Sequence, residues 1–227
     1  MQSFLCFLVV IALFVWNGQA KDVLLERRKE ESRASRENIT EESIEFINLC
    51  NSDVNLPRLR ELLAMPEVDL NAMEPRRHRT ALMMAVTFFD IADNVLRLLL
   101  AQSGIEFNKE NYLGKTALHY AAENNNLLAL NWLVRFKGIR INHQAFGRDG
   151  ATPLMLAARV NAKAAVKILL SHKDIDLTVK TYTTEMDVYG FAAENEHSKP
   201  TLDLIRAHEK KMKWAANKET VGPSSDL

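Results

Sequence analysis

The chain has no excess of charge. Lysine plus arginine and aspartate plus glutamate number 29 each among 227 residues. A balanced total gives no general drive toward nucleic acid or an anionic membrane. Cysteine is nearly absent, with only Cys6 and Cys50. Two thiols at most make one bridge, which excludes a small domain held together by disulfides. There is one long apolar run, Phe4 to Trp16, and at 13 residues it is short for a bilayer span. The chain also lacks Gly-x-Ser-x-Gly, His-Glu-x-x-His and Cys-x-x-Cys, so no familiar hydrolase, zinc-protease or redox signature is present. Its six histidines, His78, His119, His143, His172, His197 and His208, never pair at helical spacing, and zinc needs three or four convergent ligands. Gly114-Lys115-Thr116 looks like the end of a phosphate loop, but Lys109 stands where that loop needs its first glycine. Catalytic residues, metal ligands and cofactors are therefore expected to be none.

What is present begins with residues 1–20. They carry no charged side chain, and Asn17-Gly18-Gln19-Ala20 follows the apolar run. This is the pattern of a secretory signal peptide cleaved after Ala20, although the first residues lack the usual Lys or Arg. An uncleaved anchor or a buried apolar N-terminus are the other readings. Cleavage would leave Cys50 as the lone thiol, a small buried hydrophobe. Asn38-Ile39-Thr40 is a glycan-acceptor tripeptide in a secreted chain, or a chance match in a cytosolic one. Residues 21–40 read as a charged arm, mobile or helical.

The rest is periodic. Small residues recur at Cys50, Ala85, Ala121, Ala157 and Ala192, at intervals of 35, 36, 36 and 35. Two short helical patterns per unit at such a period signal a solenoid. The helix openings are Thr80-Ala81-Leu82-Met83-Met84-Ala85, Thr116-Ala117-Leu118-His119-Tyr120-Ala121 and Thr152-Pro153-Leu154-Met155-Leu156-Ala157. The unit endings are Val68-Asp69-Leu70-Asn71, Ile105-Glu106-Phe107-Asn108, Ile139-Arg140-Ile141-Asn142 and Ile175-Asp176-Leu177-Thr178. Thr can cap a helix start, and Pro is tolerated in its first turn. Asn125 and Asn161 stand at the break between helices, where a left-handed backbone suits Asn. The second unit carries about two extra residues around Phe88–Asn94, which leaves its inter-helix turn open. The first and last units, Glu42 to Asn71 and from Asp187 onward, lack the opening, as end caps do.

These segments resemble ankyrin repeats. The resemblance covers about residues 41–207. It implies an all-α solenoid with β-hairpin fingers and no continuous sheet. The expected division is a signal peptide at 1–20, the arm at 21–40, an ankyrin domain at 41–209 and a polar tail at 210–227, disordered after about Trp214. The repeats fall at about 41–71, 76–108, 112–142, 148–178 and 183–209. His119 takes the family's structural histidine position and is expected to bond loop backbone. Such proteins generally bind another protein on the concave face, so a protein partner is expected, with no nucleic acid and no stable membrane span. The oligomeric state is open, with a monomer expected.

Residues for that face are Arg76, Arg77, Lys109, Tyr112, Phe146, Arg148, Lys180 and Tyr182 on the fingers, joined by Tyr120 from a first helix. Aromatic and arginine side chains are the usual interface anchors. Met84 and Leu156 lie on the same helices and read equally well as core. Arg76-Arg77-His78-Arg79 reads either as a grip for an acidic partner or as a solvated turn. Lys210-Lys211-Lys213 reads as cations complementing a helix C-terminus. Three functional classes fit: a non-enzymatic secreted binding protein acting as regulator or effector, a cytosolic interaction protein of the IκB type whose leader is misread, and a toxin component resembling the latrotoxin repeats.

Overall fold

Among the described residues, ten α-helices pair into five stacked units. The computed structural model describes residues 26–27, 30, 39–50, 55–87 and 93–220, with side chains omitted for 93 and 215–220. The leader, its cleavage at Ala20, Asn38, most of the charged arm, the extra residues 88–92 and the last residues 221–227 lie outside the described residues. The pairs are α1 (Glu41–Leu49) with α2 (Leu56–Leu63), α3 (Ala81–Thr87) with α4 (Asp93–Leu100), α5 (Ala117–Glu123) with α6 (Leu127–Leu133), α7 (Pro153–Arg159) with α8 (Lys163–Leu170), and α9 (Val188–Ala193) with α10 (Lys199–Thr220). The first helices α1, α3, α5, α7 and α9 pack each on the next. Among the second helices, α6, α8 and α10 do the same. Among the described residues no strand forms; the one β-feature is an isolated antiparallel bridge, Ala145 to Ala151.

Four of the five first helices start on a capping oxygen that accepts from a first-turn N–H. The hydroxyls of Thr40, Thr80 and Thr152 accept from the N–H of Ser43, Met83 and Met155 at 3.2–3.3 Å. Asp187 accepts from Tyr189 and Gly190, both at 3.0 Å. In each case a free N–H of the first turn is satisfied. Helix α1 departs from its siblings in length. Its cap stands ten residues before Cys50, whereas the other caps stand five before Ala85, Ala121, Ala157 and Ala192. The first unit therefore has no opening motif because its helix has already started.

The breaks between helices follow the asparagine reading. Asn125 and Asn161 have φ of 53° and 54°, in the left-handed region. The neighbouring Asn126 then caps α6 through Ala129 N–H at 3.0 Å and reaches back to Val86 O at 3.1 Å. The small-residue column is fully packed: Cys50, Ala85, Ala121, Ala157 and Ala192 are all buried. Burial pushes the Cys50 thiol up from its ordinary value, which suits an inert packing role. Leu59, Leu62, Leu99, Leu118, Leu130, Leu133 and Leu169 fill the space between helices. Each such side chain contributes roughly 1.5–3 kcal/mol by leaving water.

The unit endings form a ladder on the outer edge. Asn71 donates to Gly104 O at 2.7 Å and accepts from Glu106 N–H at 2.8 Å. Asn108 repeats this with Gly138 O and Arg140 N–H, at 2.8 and 2.9 Å. Asn142 repeats it with Asp174 O and Asp176 N–H, at 2.6 and 3.0 Å. The next position is Thr178, whose hydroxyl turns back to Asp176 at 2.7 Å. The ladder stops one unit before the C-terminal end.

The C-terminal helix corrects the expected tail. Helix α10 continues through Trp214 to Thr220. The reason is local: 203–220 contains neither glycine nor proline, and the first breakers are Gly222-Pro223. Thr201 and Ile205 are buried against the array, and the Tyr189 hydroxyl donates to Glu209 at 2.6 Å. Beyond that bond, residues 210–214 are exposed.

His119 is fully buried beneath the fingers. Its Nδ1 accepts from Thr116 N–H at 3.2 Å, and its Nε2 donates to His143 O at 3.0 Å. Both ring nitrogens are thus used by the neutral ring. Burial is the main cause that pushes the His119 pKa down, to about 3. In the unfolded chain it takes a proton near 6.5, so stability is fully present above that pH and falls as pH drops through 6.5 toward 3. Urea unfolding midpoints should therefore decline as the buffer is taken below pH 6.5, and His119→Gln should flatten that decline. Equal slopes for the two proteins would show that His119 titrates normally in the fold.

Candidate protein-binding face

Four fingers project between the units, and each is closed by an equivalent backbone bond. Glu74, Asn111, Ala145 and Thr181 donate their N–H to the carbonyls of Arg79, Lys115, Ala151 and Met186 at 2.9–3.0 Å. The expected hairpins are thus present, but so short that only the third counts as a β-bridge. Side-chain oxygens at the finger bases shape the tips. Glu74 accepts from the N–H of Arg76 and Arg77, both at 2.6 Å. Asn111 accepts from Leu113 and Lys115 N–H at 3.0 and 2.9 Å. Thr181 accepts from Met186 N–H at 2.9 Å.

Neighbouring fingers are joined to one another. The Tyr112 ring meets His78 edge-on, with centroids 5.0 Å apart. Gly147 N–H donates to Leu113 O at 3.0 Å. Phe146 lies so close over Gly114 that a Cβ there would come within 2.7 Å of its ring, and Gly114 also has φ of 72°. Only glycine fits that position. Phe146 stacks on Tyr182 at 5.8 Å. Asp149 makes the tightest link between tips. Its carboxylate accepts from the N–H of Thr183 and Thr184, each at 3.1 Å, and from the Thr184 hydroxyl at 3.0 Å. Partial burial raises the Asp149 pKa, but the hydrogen bonds from Thr183 and Thr184 outweigh it and hold the carboxyl at about 2.

The sequence candidates fall into two groups on this surface. Arg76, Arg77, Arg148, Lys180 and Tyr182 are exposed at the tips. Lys109, Tyr112, Tyr120 and Phe146 are half-buried. Lys109 lies 3.4 Å from Glu106, and the Tyr120 hydroxyl accepts from Asn111 Nδ2 at 3.0 Å. Tyr112 and Phe146 pack against adjacent fingers and so hold the row together, besides presenting an edge. The cluster 76–79 is split by the fold. Arg76 and Arg77 point outward, while His78 and Arg79 are buried, with Arg79 3.8 Å from an equally buried Glu74. Met84 and Leu156 are core. Lys210, Lys211 and Lys213 lie within α10 rather than at its end; Lys213 reaches Glu209 one turn back at 2.6 Å.

One group escaped sequence reading. Glu123, at the end of α5, faces the fingers and meets three cations: Lys115 at 2.5 Å, Arg159 at 3.0 Å and Arg148 at 3.5 Å. The only trace in the sequence is that Glu123 and Arg159 are 36 residues apart, at equivalent positions of adjacent units, with opposite charge. Among the described residues no group of three His, Cys, Asp or Glu side chains is arranged to hold a metal ion. No described helix is long and apolar enough to cross a membrane.

A family model for ankyrin repeats, in three copies, matches residues 46–145 and 114–181. The chain belongs to the ankyrin-repeat family. The Neurogenic locus Notch protein of Drosophila melanogaster is 31% identical over 121 residues, which are 53% of this chain and 4% of that protein. The chain thus spans a small part of that relative's length. Ankyrin repeats mark a protein–protein interaction module, so the partner class is another protein.

The Asp149 link generates a prediction about finger order. Asp149 sits at φ of 57°, a backbone that Asn also tolerates, so Asp149→Asn removes charge without new strain. At neutral pH the variant should lose roughly 1 kcal/mol, since charge-assisted bonds are exchanged for neutral ones. The wild-type carboxyl is held below its usual 3.8, so its contribution is complete above 3.8 and disappears as pH falls toward about 2. Unfolding midpoints of the two proteins should converge across that window. A constant gap at every pH would show that the carboxylate charge is irrelevant.

Proposed function

We propose that this ankyrin-repeat chain is a secreted or secretory-pathway binding protein that acts as a regulator or effector without catalysing a reaction. The observation that carries the binding part is the row of four linked fingers, which presents Arg76, Arg77, Arg148, Lys180 and Tyr182 on an ordered edge. Arg and Tyr are enriched among side chains that dominate protein interfaces. Ordering before contact reduces the entropic cost of binding. The secretory part rests on the uncharged residues 1–20 and the small residues Gly18 and Ala20. Asn38 is the proposed glycan acceptor of the exported chain.

Two measurements test this reading. Terminal sequencing of material recovered from the medium should begin at Lys21; an intracellular chain retaining Met1 to Ala20 would favour the cytosolic alternative. For binding, Arg76→Glu with Arg77→Glu should leave stability within about 0.5 kcal/mol of wild type, as exposed changes usually do. The finger's own bonds here use the backbone N–H groups of Arg76 and Arg77, and both side chains are exposed. Capture of native partners should weaken, chiefly through slower association, and the difference should shrink at high salt. Equal capture by both proteins at low and high salt would remove Arg76 and Arg77 from the binding face.

A further inference from the structure

Glu123 and the three cations around it come from four separate places in the fold. Lys115 ends one finger, Arg148 lies at the tip of the next, Glu123 closes α5 and Arg159 closes α7. They converge in the inner angle where the fingers meet the first helices. One carboxylate faces three cations, which leaves a local excess of two positive charges in a chain whose total is zero. Elsewhere Glu74 meets Arg79, Glu45 meets Arg58, and Glu110 meets both Arg140 and His143.

The cations are not equally committed. Lys115 is 10% exposed, lies 5.3 Å from the Tyr120 ring and holds the second carboxylate oxygen of Glu123. Arg159 gives one terminal nitrogen to Glu123, while its shielded Nε has no hydrogen-bond acceptor. Arg148 is 47% exposed and its contact with Glu123 is the longest of the three. A guanidinium carries five donors in a planar fork that fits carboxylates in pairs. Arg148 and Arg159 therefore retain donor capacity that Glu123 does not use. Phe146 and the 47% exposed Tyr182 stack beside Arg148 on the same finger row.

We propose that this corner recognises an acidic polypeptide segment, whose carboxylates take the unused donors of Arg148 and Arg159 while its apolar side chains rest on Phe146 and Tyr182. Glu123 serves as an internal placeholder. It keeps the three cations ordered when the face is empty and competes with the incoming carboxylate for them. This rests on the binding reading above and names the partner's chemistry.

The probe is a fluorescently labelled peptide of alternating Glu and Leu, with a Gln-for-Glu version and a labelled single-stranded DNA of equal length as comparators. Anisotropy is measured with the full chain at low salt. The acidic peptide should bind better than either comparator. Arg148→Glu should weaken it roughly two- to fivefold, the scale of losing one partly exposed charge contact. Glu123→Gln should shift affinity the opposite way, because the competitor is neutralised while the cations stay. Arg148 is exposed, so Arg148→Glu alone decides the matter if Glu123→Gln fails to fold. Absence of binding, equal binding of the Gln peptide, tighter binding of DNA, or indifference to Arg148→Glu each overturns the proposal. If native partners are still captured in an Arg76-dependent manner while the probe ignores Arg148, the binding function stands and only this assignment of partner chemistry falls.

Discussion

The close contact between successive first helices is the constraint on which the rest depends. Cys50, Ala85, Ala121, Ala157 and Ala192 are each buried where one unit meets the next. No unit of about 35 residues can bury its own apolar face, so each is stable only through its neighbours. A longer side chain in that column would push two units apart, and overpacking of this kind costs roughly 1–3 kcal/mol. The effect would not stay local. The same spacing sets the distance between fingers, and with it the Phe146–Tyr182 stack and the Asp149 bonds. The asparagine ladder enforces the spacing at the opposite edge. Asn71, Asn108 and Asn142 each span one unit boundary with a donor and an acceptor.

The two ends show what happens when that constraint is relaxed. At the N-terminal end α1 begins early and carries no opening motif. At the C-terminal end Thr178 replaces the ladder asparagine, and α10 runs on past the array. Its first turns carry Thr201 and Ile205 inward, whereas residues 210–214 are exposed. Among the described residues, motif loss thus falls in the two units that have one described neighbour each.

Local chemistry was legible in the sequence, and through-space chemistry was not. Thr80, Thr152, Asn125 and Asn161 could be read because their roles concern backbone within a few residues. The small-residue column could be read because it has a period. The division of Arg76-Arg77-His78-Arg79 could not. It depends on Glu74, whose carboxylate turns the finger so that two cations face water and Arg79 is drawn inward. The fingertip aromatics were rightly placed on the fingers, but their packing on one another needs the distance between units. The Glu123 corner lay furthest from sequence reading, since its members are 8, 25 and 36 residues from Glu123 and meet only after two units stack.

A neutral chain can still present a strongly charged surface, and the fingers show how. Charge that is paired in the interior, as Arg79 is with Glu74, adds nothing to the outside field. Arg76 and Arg77 stand in water, Lys180 lies 4.0 Å from the exposed Glu185, and Arg148 shares Glu123 with two better-placed cations. Exposed charges separated by more than about 10 Å are screened from one another at moderate salt, so each stretch of the edge acts by its own local balance. What a partner meets is therefore set not by the sum over 227 residues but by which carboxylates the fold has already used. On the finger side Glu74, Glu123 and Asp149 are used to hold backbone and cations in place, while Glu185 stands exposed near Lys180. Glu74 and Glu123 are thus spent on building the surface rather than facing out from it.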